Sequence, residues 1–445
     1  MIYDINDSPS VKEIIIFSIQ QILAIVTATI AVPLVVGNGL TASAALFGAG
    51  AGTLVYCVFS KFKSPVIVSS NFSFLKSMLV AFAGGVSMSA GMAGLIIGAF
   101  FTTVIYAILS FTVKKTGVDF IKKLMPPVVI GPTVAIIGLS LSVNAIRNIS
   151  LSNVSLSYSK TAIACGLVTM FVTMLCSIYG KKGFNLIPFL IGLLAGFTVA
   201  LVFSLIGTYC NIDFLQIMNI SLFKERLFKN GISISTFFSV PDFIFINALK
   251  GIKEIKIEYV IAIFVAYVPV SLVGFAEHIA DHQNLSNIIG HDLLTDPGLD
   301  KTLMGDGVGS FVGAFFGGCP NTTYGESIAC VALTQNASII TILVSSIGCM
   351  ILSFCTPIMV FFEAIPSCVV GGICIILFGF IGASGFKMIQ NVSLDDNRNL
   401  FVVSVILICG IGGLKLDFGK VVITDIAMAL ILGIITNVIL HKKNK

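Results

Sequence analysis

One stretch of this chain, Ala276-Glu277-His278-Ile279-Ala280-Asp281-His282, places two carboxyl and two imidazole groups at the end of a long apolar run. On a helix, Glu277 and Asp281 share one face at i, i+4, and His278 and His282 share the adjacent one. Ionisable groups inside a bilayer are costly and mark substrate or proton paths. Glu277 should lie deepest, whereas His278, Asp281 and His282 could equally occupy a solvated helix end. Two histidines one turn apart can ligate zinc. The zinc-hydrolase pattern, however, puts glutamate after the first histidine, and here it precedes. Only His291 and His441 remain to complete a site, so no metal is expected. There is no G-x-S-x-G or Walker pattern, so neither an enzyme nor a cofactor is expected.

A second stretch, Pro320-Asn321-Thr322-Thr323-Tyr324-Gly325-Glu326, starts a membrane helix poorly. It predicts extended backbone leading into a half-helix whose free N–H groups face a cavity, with Glu326 near the half-helix N-terminus. Ser69-Ser70-Asn71-Phe72-Ser73-Phe74 is its earlier counterpart. With Glu277, the two segments offer backbone donors, two carboxylates and aromatic faces. That set suits a planar polar heterocycle: ring N–H groups donate to Glu277 and Glu326, ring carbonyls accept from backbone, and Phe72 or Tyr324 covers the ring.

The elements that carry these residues must be membrane helices. Of 445 residues, 56% are hydrophobic and 11% charged, against roughly 25% charged in soluble domains. A spanning helix needs about 20 apolar residues, so about fourteen spans would consume the chain. Apolar runs predict spans near 14–36, 42–60, 64–82, 86–112, 121–143, 160–179 and 185–207. A second set follows near 258–282, 302–318, 322–335, 337–362, 366–388, 399–416 and 420–440. The N-terminal residues do not read as a cleavable signal. The eleven cysteines are scattered in apolar stretches without paired spacing and read as small packing residues. The net charge of +5 does not indicate nucleic acid, because the lysines sit at helix ends.

With fourteen spans both termini share a face. Lys61, Lys63, Lys114, Lys115, Lys122, Lys123, Lys181, Lys182, Lys301, Lys387, Arg398 and the tail lysines fall there, while loops 37–41 and 82–86 carry no Lys or Arg. The positive-inside rule makes that face cytoplasmic. The segment 208–257, with Lys224, Arg226, Lys229 and Lys250, falls outside, as long loops can. Met125-Pro126-Pro127-Val128-Val129-Ile130-Gly131 is echoed by Ile365-Pro366-Ser367-Cys368-Val369-Val370-Gly371. Pro65 and Asn71 are matched by Pro320 and Asn321. Each pair is seven spans apart, and an odd number forces the copies into opposite orientations. This is the inverted-repeat design of many secondary transporters.

At these residues the chain resembles the nucleobase–ascorbate transporter family (nucleobase:cation symporter family 2), within it the bacterial uracil permeases. The resemblance covers essentially the whole length. It is strongest in AEHIADH at 276–282, LLTDPGLDKTLMGDG at 293–307 and GGCPNTTYGES at 317–327. It implies an all-α polytopic fold of 14 transmembrane segments in a 7+7 inverted repeat, with short antiparallel strands in spans 3 and 10. A core domain would take residues 1–113 and 258–363, and a gate domain 114–257 and 364–445. Carried over by motif, Glu277 and Glu326 bind the nucleobase, and Phe72, Tyr324 and Gly325 line its ring. Glu277, Asp281, His278 and Lys76 are the proton-coupling candidates. The expected partners are a nucleobase, protons, the lipid bilayer and a second copy through the gate domains, in the cell membrane.

The chain departs from the family pattern at Gln21, where the first span usually reads Gln-His, and at Gln335, where Arg is usual. Lys76 is an unexpected cation, expected either to pair with Glu277 or Asp281 and weaken coupling, or to snorkel or make a harmless polar contact. Uracil–proton symport with an elevator-like movement is the leading expectation. A purine or xanthine permease is the nearest rival. A sulfate-carrier-type anion transporter would be expected to add a soluble C-terminal domain, whereas this chain stops at Lys445. An intramembrane metalloenzyme is the rival from another class.

Overall fold

The computed structural model describes residues 1–117, 126–155, 157–181, 184, 187–219, 221–227, 232–317, 319–390, 392–417 and 422–440. Met125, Gly318 and the lysines at 122, 123, 182, 229, 442, 443 and 445 lie outside the described residues. Long apolar helices dominate: α1 (Val11–Val36), α2 (Ala42–Phe59), α4 (Met88–Thr116), α5 (Pro127–Ser150), α6 (Lys160–Tyr179), α7 (Pro188–Cys210), α8 (Ile257–Ile289) and α12 (Ser367–Met388). These 8 are long and apolar enough to cross a membrane. Shorter helices fill the gaps: α3 (Leu75–Ala81), α9 (Leu299–Phe316), α10 (Gly325–Thr334), α11 (Ile339–Leu352), α13 (Asn397–Ile411) and α14 (Asp425–Ile439).

Two segments too polar for a membrane helix form strands instead. Strand β1 (Val68–Ser70) pairs antiparallel with β2 (Asn321–Thr323), with Ser69 opposite Thr322. All six residues are buried. Away from water each backbone group needs a partner, and part of that need is met by helices from both halves. Thr53 of α2 both accepts from Val68 N (3.1 Å) and donates to Val68 O (3.0 Å). Thr29 of α1 meets Ser69 at 2.7 Å, and Ser310 of α9 donates to the Asn321 carbonyl. Beyond β1, the Asn71 side chain accepts from Ser73 N at 2.8 Å and opens a 3-10 turn, Phe72–Phe74, that runs into α3.

The helices opened by the echoed proline motifs pack antiparallel. Ser367, at the start of α12, donates from its N–H to Asn153 Oδ1 just past the end of α5 at 2.9 Å. Further along, a Cβ on Gly385 would strike Ala135 N and Gly131 O, so the backbones touch where side chains are absent.

Several expected boundaries are corrected. Positions 121–125 of the span expected at 121–143 lie outside the described residues; its helix runs from Pro127, whose fixed φ suits a first helical turn, and continues past 143 to Ser150. Span 337–362 divides at Ser353–Cys355, and a separate short helix runs Thr356–Glu363 with Pro357 in its first turn. The end of span 399–416 and the start of span 420–440 are not helical: Leu416–Asp417 pairs with Val422–Ile423 as a second strand pair, and the helices run Asn397–Ile411 and Asp425–Ile439. The segment 208–257 carries short helices Ser221–Leu227, Ile234–Phe237 and Ile244–Gly251.

Candidate substrate-binding site

The β1–β2 pair brings the two irregular segments together, and a cavity of about 640 Å³ opens beside it. Its lining includes Asn71, Phe72 and Ser73 after β1, Thr323 to Glu326 at the end of β2, and Glu277 and Asp281 from α8. Of the residues singled out from sequence, Glu277, Asp281, Phe72, Tyr324, Gly325 and Glu326 therefore face one space. His278 and Lys76 do not line it.

Glu277 lies well inside its helix: α8 runs past the expected end at 282 to Ile289, about three turns beyond Glu277. Its carboxylate is held from the neighbouring repeat segment: Asn71 Nδ2 donates to Oε2 at 3.3 Å and Ser73 Oγ to Oε1 at 3.1 Å. A carboxylate offers about four acceptor sites, so two donors leave capacity for a ligand. One turn on, Asp281 Oδ2 accepts from Thr323 Oγ1 at 2.8 Å. Glu326 is the second residue of α10, where the helix dipole favours an anion, and it is partly buried. Beside it, a Cβ on Gly325 would meet nothing within 4 Å, so the backbone itself borders open space. Phe72 is 8% exposed and sits edge-on to Phe378 of α12, with centroids 6.0 Å apart.

The histidines turn to the other side of α8. His278 is fully buried, with Nδ1 at 2.9 Å from Asp306 Oδ2 and Nε2 at 3.0 Å from Thr302 Oγ1. Asp306 also accepts from Thr322 of β2 at 3.1 Å, so this network braces the strand from behind. His282 Nδ1 donates to the His278 carbonyl at 2.9 Å, and Nε2 lies 2.8 Å from the Tyr56 hydroxyl. All four ring nitrogens thus have protein partners. Among the described residues no group of three or more His, Cys, Asp or Glu is placed to hold a metal ion.

Lys76 pairs with neither Glu277 nor Asp281, one of the two alternatives expected. Its Nζ lies 2.5 Å from Asp425 Oδ2 at the start of α14. Gln21 is buried and donates from Nε2 to the Ser327 carbonyl at 3.3 Å, bracing α10 from α1. The Gln335 carbonyl ends α10 and accepts from Ile2 N at 2.8 Å. Asp306, Thr302, Tyr56 and Asp425 were not foreseen as partners. Asp306 lies inside a stretch already notable for its resemblance, and that was the one signal available.

A multi-pass membrane protein with an acid-lined cavity at the meeting point of two strand-broken helices has the build of a permease. The chain belongs to the Permease family, whose model matches residues 12–418, in agreement with the motifs above. It is 32% identical over 442 residues to the uracil permease of Bacillus caldolyticus, covering 99% of this chain and 94% of that protein. It is 31% identical over 434 residues to the uracil permease of Escherichia coli K12, covering 97% and 92%. In fold it is similar to the transmembrane domain of the cyanobacterial bicarbonate transporter BicA, with a TM-score of 0.64 at 13% identity. That match covers 98% of this chain and 100% of the other. As a permease, the chain moves a small molecule across a membrane and is not an enzyme.

Proposed function

We propose that this permease imports uracil by proton symport, with the cavity beside β1–β2 as its binding site. The observation that carries the reading is the convergence of Glu277, Glu326 and the two strand-to-helix turns on one space. Uracil alternates ring N–H donors with carbonyl acceptors. Glu277 and Glu326 accept from the N–H groups, backbone N–H at Phe72 and Gly325 donates to the carbonyls, and Phe72 and Tyr324 cover the ring. Asp281, one turn from Glu277, is the carboxyl that exchanges the coupled proton, because it touches β2 through Thr323. The names of the relatives support the choice of nucleobase.

The 8 long helices together with α9, α11, α13, α14 and the two strand–half-helix units β1–α3 and β2–α10 make fourteen spans in two inverted sets of seven. The antiparallel packing of α5 on α12 supports the inversion. A core of 1–113 and 258–363 moves against a gate of 114–257 and 364–445, and two copies associate through their gates. The lysine-bearing face is cytoplasmic, with both termini there. Competition binding on purified protein tests the substrate: uracil should displace labelled uracil far better than xanthine does. Glu326→Gln should lose that binding, and unchanged affinity rejects the assigned role.

A further inference from the structure

Lys76 and Asp425 belong to different proposed domains, and they meet on the far side of the binding site from its opening. The cavity reaches Ser177 near the end of α6, Pro188 at the start of α7, and Phe380 and Ser384 late in α12. Those helix ends share the lysine-bearing, cytoplasmic face. Helix α3 runs the other way: its last carbonyl, Ala81, accepts from Tyr259 at the start of α8 at 2.6 Å, and Tyr259 also reaches Ala90 at the start of α4. Asp425 begins α14, and in the proposed topology that end lies on the same external face.

The pair is built as a contact between rigid ends. Asp425 Oδ1 accepts from Ile426 N at 3.0 Å, fixing the carboxylate at a helix N-terminus where the dipole favours it. Its Oδ2 takes Lys76 Nζ at 2.5 Å, with the side chains 8% and 22% exposed. Lys76 lies one turn beyond Ser73, which holds Glu277. The attraction within an ion pair is strong where water is scarce and weak once water enters, while desolvation offsets much of it, so the pair can close a boundary and still reopen.

We propose that Lys76–Asp425 is the external latch of this permease: it closes the core–gate boundary while the cavity faces the cytoplasm, and it breaks when the site opens outward. Both are positioning residues that act on the alternation and touch no substrate. The inference rests on the transport reading and the domain division given above.

The test compares wild type, Lys76→Gln, Asp425→Asn and the exchanged pair Lys76→Asp with Asp425→Lys. It reads labelled-uracil affinity in detergent, uptake in proteoliposomes, and deuterium exchange of peptides covering 75–81 and 422–428. The single variants should keep affinity within about twofold, change uptake by about threefold or more and exchange faster at both peptides. The exchanged pair should restore uptake and protection. Single variants that match wild type in uptake and exchange overturn the latch, as does loss of affinity in parallel with uptake. An exchanged pair no better than the singles also overturns it. Absence of uracil binding by wild type would instead reject the substrate reading, and the exchange measurement would still judge the latch.

Discussion

Thr323 Oγ1 donates a 2.8 Å hydrogen bond to Asp281 Oδ2, joining the last residue of strand β2 to helix α8 one turn beyond Glu277. Any change in the charge of Asp281 is therefore felt where the strand turns into the half-helix bearing Glu326. Asp281→Asn keeps the hydrogen-bonding shape and removes the titration. The expected outcome is retained uracil binding and uptake that an inward proton gradient no longer accelerates. Uptake with and without the gradient checks it.

Glu277 is oriented by Asn71 and Ser73. Glu277→Gln exchanges a carboxyl for an amide that can turn a donor toward a ring N–H. A buried donor left without an acceptor costs about 1–3 kcal/mol, so uracil affinity should fall about tenfold, with thermal stability nearly unchanged. Ser73→Ala should cost less, because Asn71 still holds the carboxylate. Equilibrium binding on the purified variants measures both.

Asp306 and His278 form a pair with both side chains 0% exposed. Removing one partner leaves buried polar atoms of the other without their hydrogen bond, at about 1–3 kcal/mol each. Asp306→Ala should lower the thermal unfolding midpoint in detergent well below that of any cavity-lining substitution described above. A midpoint equal to wild type contradicts the bracing role given to this network.

Asp296, in the connection after α8, lies 2.7 Å from Lys63, and that contact holds its carboxyl below the usual carboxylate value. A depressed folded-state pKa contributes stability above the unfolded value, about 3.9, and that contribution is lost as pH falls through the lowered one. Lys63 is the largest of the groups that lower this pKa, with His291 and Lys301 behind. Lys63→Met should therefore remove most of the contribution, and wild type and variant converge only in acid below the lowered value. Both partners are nearly half exposed, so the difference should be small and should shrink in high salt. Thermal midpoints across an acid pH series measure it.

Gly385 lets α12 approach α5 at the backbone of Gly131 and Ala135. Gly385→Ala should force the helices apart, at a cost of about 1–3 kcal/mol, read as a lower unfolding midpoint.

The acids of the cavity were legible because a carboxyl inside an apolar run has few structural reasons to be there. Glu277, Asp281 and Glu326 all face the cavity. The broken helices were legible too, since Pro320 and its polar neighbours cannot begin a spanning helix without unmet backbone groups. Other features depend on contacts between distant segments that no local pattern encodes. Lys76 finds Asp425 349 positions away, and His278 finds Asp306 on the next helix. Gln283, Asn284 and Ser286 are polar, and no apolar pattern carries the expected span 258–282 on to Ile289, where α8 ends. The helix instead continues there beside Leu293, whose N–H donates to Ser286 Oγ at 3.0 Å.

The most direct measurement is labelled-uracil uptake into proteoliposomes holding the purified protein, with an inward proton gradient imposed and then collapsed. The expected result is saturable uptake that the gradient accelerates and Glu326→Gln abolishes. Uptake no greater than in empty liposomes would contradict uracil transport, and uptake indifferent to the gradient would contradict symport.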